Sequence, residues 1–135
     1  MDANAKLKRS DTVTFQVVAD EAILIRLDTG TTFSLNKVGT EFWQMLDGRR
    51  TIEEHASALA DKNNRIVQSA TEGLTALATR IAGDFGTQAQ ALIEDLRQYA
   101  QSVAGKYWVG TPRVVGDLLE LAEKMAADKL VERVT

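Results

Sequence analysis

The sequence predicts an α+β fold, in which an N-terminal three-stranded antiparallel meander precedes a mainly helical remainder of about five helices. Two observations support this class. Residues 12–35 alternate apolar and polar side chains with the period of two that half-buried strands show. From residue 36 the apolar side chains recur instead at helical spacing, in stripes separated by residues that start or end helices.

The three predicted strands are short and are joined by tight turns. TVTFQVV (12–18) and EAILIRL (21–27) are separated by two residues, and the triplet Asp28-Thr29-Gly30 precedes the third strand, Thr31 to Leu35. Gly30 suits such a turn because glycine adopts a positive φ at little steric cost. In a meander of this order the middle strand is central, so the first and third strands keep open hydrogen-bonding edges.

Five helices are predicted after the strands. Asn36 is a suitable N-cap for the first, and Asp47-Gly48 ends it. Thr51 and Glu54 have the spacing of a capping box, which starts the second. The third helix is predicted to end at Gly83. The fourth is predicted to start at Thr87 and to end at Gly105, and the fifth to start at Thr111-Pro112. Residues 130–134 fit either a short strand or the end of the last helix.

Length and composition restrict the classes of function. The 135 residues suit one domain. The chain has no cysteine and one histidine, which argues against a disulfide framework, a catalytic thiol and a transition-metal site, so we expect no metal and no cofactor. Sixteen basic and nineteen acidic residues give a net charge of −3, which provides no general attraction to nucleic acid.

Residues 1–11 are predicted to be a disordered tail. The tail contains basic residues, but no apolar run follows them, so it fits neither a secretion signal nor a membrane anchor. We therefore expect a cytoplasmic protein with no membrane partner.

Three features resemble chemical sites, and each has a simpler structural interpretation. Asp28-Thr29-Gly30 matches the aspartic-protease triplet, but it occurs once, and a glycine turn between strands explains it. His55 lies near an apolar helix stripe with no nucleophile placed beside it, which favours a half-buried structural histidine over a general base. Tyr107-Trp108 lies between two helices and fits an exposed contact or packing under a loop. No catalytic residue is predicted, and we do not expect an enzyme.

Residues 21–59 resemble the PqqD family, the small proteins also called RiPP recognition elements. The resemblance rests on an ordered set of residues through the hairpin and the first two helices: Leu35, Asn36, Gly39, Trp43, Leu46, Gly48, Thr51, Ile52 and Glu54. It implies a winged helix-turn-helix fold of three strands and three helices. It also implies a function, in which the protein binds the leader segment of a ribosomally made precursor peptide. Such proteins present the leader to a modifying enzyme, for example a radical-SAM maturase or a leader protease.

The resemblance further implies where the peptide binds. An extended peptide adds to the open edge of the third strand, so the candidate binding residues there are Thr31, Thr32, Phe33, Ser34 and Leu35. The third helix of the family forms the other wall of the site. If residues 117–134 are that closing helix and strand, the wall includes Leu118, Leu119 and Ala122, and residues 62–112 are a helical insertion in a single domain of 12–135.

Several alternatives stay open. Residues 80–109 also resemble the last two helices of the family, in which case the final helix is an appendage. The additional helices are candidates for docking a partner enzyme or a second copy, as in a homodimer. Two other functions compete with peptide recognition: a winged-helix DNA-binding regulator, and a structural subunit whose own helices close the peptide groove.

Overall fold

The computed structural model describes residues 1–134, which form five strands and four α-helices. In chain order these are β1 (Lys6–Arg9), β2 (Val13–Val18), β3 (Glu21–Arg26), β4 (Thr32–Leu35), α1 (Lys37–Met45), α2 (Ile52–Phe85), α3 (Gln90–Tyr107), α4 (Thr111–Ala127) and β5 (Val131–Val134), with a 3₁₀ turn over Gly86–Ala89. The predicted class is confirmed: an antiparallel three-stranded sheet lies near the N-terminus and the remainder is mainly helical. The winged helix-turn-helix topology remains a prediction.

The chain divides into two compact units. The sheet unit comprises Met1–Ala58 together with the segment from Thr111 onward, and the helical unit comprises Leu59–Gly110. The bounds of the helical unit lie close to those predicted for an insertion at 62–112. That this segment is an insertion into a smaller domain remains a prediction.

The sheet unit contains the three-stranded sheet, with the order β2-β3-β4. Leu24 in the central strand lies opposite Phe15 on one side and Phe33 on the other. We call the face that carries Leu24 the inner face, because Ala22 and Leu24 are fully buried there, whereas Ile23 on the outer face is 41% exposed. This alternation is the period of two that predicted the strands.

Helix α1 covers the inner face and supplies the largest buried side chains. Phe42 and Trp43 are both fully buried, and the ring of Trp43 meets Phe15 edge-to-face with a centroid distance of 5.7 Å. The largest fully buried side chains of the described residues all belong to the sheet unit: Trp43, Phe42, Leu7, Leu24, Ile52, Leu118, Met125 and His55.

The predicted disordered tail at residues 1–11 is wrong. Residues 6–9 form β1, which pairs antiparallel with β5, and Ala5 and Leu7 are buried. The backbone of Gly48 also donates to the carbonyl oxygen of Leu7 at 3.0 Å. The partner strand lies more than 120 residues away in sequence, so local composition carried no sign of the pairing. The same pairing shows that residues 130–134 contain a strand.

The prediction of about five helices is also wrong, because the expected second and third helices form the single 34-residue helix α2. Residues 59–66 contain neither glycine nor proline, so nothing interrupts the helix there. The predicted stop at Gly83 lies inside α2, which ends at Phe85 where Gly86 takes a φ of +58°. Thr87 lies in the 3₁₀ turn and does not cap α3, and α3 continues past Gly105 to Tyr107.

Two predicted helix starts are confirmed by their hydrogen bonds. The side chain of Asn36 accepts from the backbone of Gly39 at 2.8 Å, which caps α1. Thr51 and Glu54 form the reciprocal capping box of α2, with both backbone-to-side-chain distances at 3.1 Å. Helix α4 begins at Thr111, next to the proline that predicted its start.

The helical unit is a two-helix hairpin with a small core. Six of its apolar residues are buried: Leu59, Ala60, Val67, Ala78, Ile93 and Ala100. Asn63 donates to the carbonyl of Tyr107, and Asn64 both donates to the carbonyl and accepts from the backbone of Val109, at 2.8–2.9 Å. These amides fix the end of α3 against α2. In residues 1–134 we find no helix with the length and apolar character needed to cross a membrane.

Candidate functional site

The outer edge of β4 is open. Among residues 1–134, β4 pairs with β3 alone. The backbone of Arg26 donates to the carbonyl of Thr31 at 2.9 Å, and antiparallel pairs alternate between hydrogen-bonded and non-hydrogen-bonded positions. Phe33 and Leu35 therefore direct their backbone groups toward β3. The backbone N–H and C=O groups of Thr32 and Ser34 point away from the sheet and are available to another strand.

A groove of about 410 Å³ lies beside this edge. One side is formed by the end of β4 and the start of α1, and the other side is formed by α4. The residues that line it are Ser34, Leu35, Asn36, Val38, Gly39, Asp117, Leu118 and Leu121. All belong to the sheet unit. Four of them are aliphatic, so the groove offers an apolar surface next to unpaired backbone groups.

Gly39 allows α1 to approach the groove closely. A Cβ atom at this position would lie 3.2 Å from the side-chain oxygen of Asn36, 3.3 Å from Leu35 and 3.5 Å from Leu121. A larger residue would therefore press on Asn36 and Leu35, whereas its Cβ would make only an ordinary van der Waals contact with Leu121. The requirement for a small residue here explains why a glycine sits in the first turn of a helix, where it would otherwise weaken the element.

Thr40 fixes the end of β4 to α1. Its hydroxyl accepts from the backbone of Ala22 at 2.7 Å and donates to the carbonyl of Leu35 at 3.3 Å, and the side chain is only 3% exposed. The last rung between β3 and β4 thus includes a side chain of α1. This contact holds the end of β4, including the groove-lining Leu35, in a fixed position against α1.

Asp117 is the one charged side chain that lines the groove within the described part of the chain. The other lining groups are apolar or neutral. The arrangement suits an extended segment with apolar side chains and a basic residue placed near Asp117. It contains no pair of titratable groups of the kind that performs acid–base chemistry.

The structure brings together part of the predicted site. Ser34, Leu35 and Leu118 line one groove, as the resemblance implied for the third strand and the closing helix. Thr31 precedes β4, and Phe33 lies on the inner face opposite Leu24. The remaining two predicted positions on α4 lie away from the groove: Leu119 is half-buried and Ala122 is fully buried. That any of these residues binds peptide remains a prediction.

Sequence reasoning missed five of the lining residues: Asn36, Val38, Gly39, Asp117 and Leu121. Leu121 lies three residues after Leu118 and was within reach of a helical-spacing argument. In the sequence Val38 falls on the same helical stripe as Phe42, and only the structure shows that it is 52% exposed. Gly39 makes its tightest approaches to Leu35 and Asn36, and its position opposite Leu121 of α4 is not indicated by any local pattern.

The other chemically suggestive residues lie elsewhere. Asp28 pairs with Arg26 in the β3–β4 turn, and this hydrogen bond lowers the pKa of the exposed Asp28 carboxyl. His55 is more deeply buried than predicted, at 1% exposure, and its ring meets Phe42 edge-to-face. Tyr107 and Trp108 are about half exposed, which decides between the two interpretations of that pair in favour of an exposed position.

Comparisons with known proteins agree with the resemblance found in the sequence. Residues 21–66 match the family model described as Coenzyme PQQ synthesis protein D (PqqD). Among solved structures, the chain is similar to TbiB1, determined in complex with the TbiA(beta) leader peptide. That match has a TM-score of 0.54 and 23% identity, and covers 93% of this chain and 94% of the other, which indicates a shared fold. No curated protein matches the chain.

Proposed function

We propose that this protein binds the leader segment of a ribosomally synthesised precursor peptide by strand addition along the outer edge of β4. The observation that carries the proposal is the unpaired β4 edge beside an apolar groove whose second wall is α4. Backbone hydrogen bonds at a sheet edge supply affinity for an extended peptide, and alternate side chains in a neighbouring groove supply selectivity.

In this proposal the peptide lies extended along β4. It pairs with the backbone of Thr32 and Ser34, and every second side chain turns into the groove toward Leu118 and Leu121. Asp117 favours a lysine or arginine at one of those positions, since an opposite charge in a partly desolvated groove contributes to specificity.

Two comparisons support this function. The matching structure, TbiB1, was determined with a leader peptide, and its chain is covered almost completely. The PqqD match at residues 21–66 includes β3, β4 and the whole of α1, which supply one wall of the groove. The PqqD match therefore includes β4 and the first wall of the groove but not α4, which forms the second wall.

The protein then acts as an accessory factor without catalysis of its own. It presents the bound leader to a modifying enzyme, such as a radical-SAM maturase or a leader protease. The alternative of a structural subunit with a closed groove is less well supported, because none of the described residues outside β3 pairs with β4.

The first test is a peptide-display selection against the purified protein, followed by fluorescence-polarisation titration of the enriched peptides. We expect extended peptides with alternating apolar residues. Ser34→Pro removes an outward N–H and places a ring in the path of the peptide, so affinity should fall by at least about tenfold. Ser34→Ala keeps the N–H and should bind nearly as well as the unmodified protein.

Val17→Pro provides a second control, because it removes an outward N–H from the opposite edge of the same sheet and should leave peptide affinity unchanged. A folded Ser34→Pro variant that binds as tightly as Ser34→Ala would disprove strand addition at β4. Short duplex DNA at two salt concentrations serves as a parallel ligand. Salt-dependent retention of DNA without peptide enrichment would support the regulator instead.

A further inference from the structure

We propose that β2, the other open edge of the sheet, pairs antiparallel with β2 of a second copy of this chain. Two three-stranded sheets would then join into one of six strands, with a β4 groove at each outer edge. This inference concerns a different edge from the proposed peptide site and does not depend on it.

The backbone of β2 is free on one side. The backbone of Leu27 donates to the carbonyl of Thr12 at 2.7 Å, which fixes the alternation along the β2–β3 pair. Thr14 and Gln16 therefore face β3. Val13, Phe15 and Val17 direct their N–H and C=O groups outward, where no other strand of residues 1–134 lies. The N–H of Val13 already donates to the carbonyl of Ser10 at 3.2 Å, so the open groups are the carbonyl of Val13 and both backbone groups of Phe15 and Val17.

The sequence of this strand lacks the features that keep natural edge strands apart, and the basic side chain that lies against it, Arg9, comes from β1. The six residues VTFQVV contain no charged residue and no proline, and their pairing with β3 runs without a bulge from Val13 to Val18. Monomeric proteins usually protect such an edge with lysine, proline, a bulge or a covering loop. A flat, neutral, apolar edge strand of this length is suited to pairing with another strand.

The apolar side chains of β2 are only partly covered. Phe15 and Val17 belong to the inner face, yet each is 37% exposed, whereas their cross-strand neighbours Leu24 and Ala22 are fully buried. The outermost strand thus presents half-buried apolar groups on the face that elsewhere forms the core. A further strand alongside β2 would extend that face and cover them.

Charge favours a second copy over a charged partner. A cavity of about 590 Å³ borders β2, and its charged lining residues are two cations and two carboxylates, Lys8, Arg9, Asp11 and Asp47. Arg9 lies over the rings of Phe15 and Trp43, at 5.2 and 5.9 Å from their centroids. Because the charges around this cavity balance, they attract neither a polyanion nor a polycation.

The strand is compatible with itself in a centred register. When Phe15 lies opposite Phe15 of the second copy, Val13 lies opposite Val17, so every inner-face pair is apolar. Because the N–H of Val13 is bonded to Ser10, this register gives about four backbone hydrogen bonds: two between the Phe15 residues and one at each Val13–Val17 pair. A six-residue strand is only about 20 Å long, so the interface is smaller than that of most stable dimers. We therefore expect a reversible dimer that depends on concentration.

Sedimentation velocity of the full chain from about 1 µM to about 1 mM tests this, since micromolar to millimolar dissociation constants fit so small an interface. We expect a monomer–dimer equilibrium that Val17→Pro weakens at least tenfold and Ser34→Pro leaves unchanged. Circular dichroism checks that both variants are folded, and Val17→Lys replaces Val17→Pro if the proline variant is not. A chain that stays monomeric throughout, or a folded β2 variant that still dimerises, would overturn the proposal.

Crosslinking tests the register independently, because the chain has no cysteine of its own. Gln16 lies on the outer face, and in the centred register its two copies are roughly 8 Å apart, a diagonal-neighbour distance. Gln16→Cys should therefore crosslink efficiently with a short bis-maleimide. Thr32→Cys, on the same face but at the β4 edge, should not. Equal crosslinking of the two variants would also overturn the proposal.

Discussion

Thr40 connects three elements through one hydroxyl group. It accepts from β3 at Ala22 and donates to β4 at Leu35, while its backbone belongs to α1. The side chain is buried, so water is not available to replace either partner. The position of Leu35 in the groove therefore depends on a hydrogen bond that a non-polar residue of the same shape as threonine cannot make.

Thr40→Val should lower the free energy of unfolding by about 1–3 kcal/mol, because it leaves the buried N–H of Ala22 without an acceptor. Peptide affinity should fall as well, since the end of β4 loses its attachment to α1. Urea denaturation and peptide titration measure the two effects. Thr40→Ser keeps the hydroxyl and should retain most of the stability and most of the peptide affinity. If Thr40→Ser loses as much as Thr40→Val, the missing methyl group and not the hydrogen bond explains the loss.

His55 is a buried residue whose two ring nitrogens have no hydrogen-bond partner among the described residues. Burial is the main cause that lowers its pKa from the usual value of about 6.5; Arg50 lowers it further, whereas Asp47 and Glu54 raise it. The unfolded chain therefore takes up a proton at a higher pH than the folded protein does. The ionisation of this residue therefore leaves the free energy of unfolding unchanged above pH 6.5 and lowers it as the pH falls below that value.

His55→Leu should raise the free energy of unfolding by about 1 kcal/mol at pH 7, because an unsatisfied buried polar group is replaced by an apolar one. It should also flatten the loss of stability between about pH 6.5 and pH 5. Denaturation at several pH values checks both effects. His55→Gln removes the titrating group but keeps a buried polar side chain. It should therefore reduce the pH dependence of stability without raising the free energy of unfolding at pH 7. A slope that survives in both variants would mean that other groups cause it.

The β2–β3 turn has an unfavourable sequence for its conformation. Ala19 and Asp20 have φ values of +50° and +66°, and a two-residue turn with positive φ at both positions prefers Asn-Gly. The double substitution Ala19→Asn with Asp20→Gly should stabilise the protein by about 1 kcal/mol. Thermal denaturation measures this gain. Gly30→Ala, which forces alanine to a φ of +71°, should have the opposite effect, and a similar change from both would contradict the explanation.

Elements that are specified by nearby residues were predictable from the sequence, and those that depend on distant partners were not. The strands of the meander and the caps at Asn36 and Thr51 follow from alternation and side-chain chemistry within a few residues. Strand β1 was missed because its partner is at the opposite end of the chain. The groove was half predictable, since Ser34 and Leu118 came from the family resemblance. That Gly39 lies opposite Leu121 depends on the packing of α1 against α4, which neighbouring residues do not specify.

The two compact units should differ in local stability. The helical unit buries six apolar residues, of which three are alanine, and leaves large side chains such as Ile66 and Leu92 exposed. The sheet unit contains all of the largest buried side chains. Amide hydrogen exchange should therefore be faster in residues 66–105 than in β3 and α1. Uniform protection across the two units would show that the chain opens only as a whole.

Strand β4 has only four residues, of which two face outward, and this brevity governs how long a bound peptide would stay. Two residues offer about four backbone hydrogen bonds, each worth roughly 1 kcal/mol. Even with apolar contacts in the groove, such a ligand is expected to bind with about micromolar affinity. At an association rate of about 10⁶ M⁻¹s⁻¹ the complex would last roughly one second. A peptide with that residence time dissociates spontaneously, so its transfer to an enzyme would require no separate step that releases it.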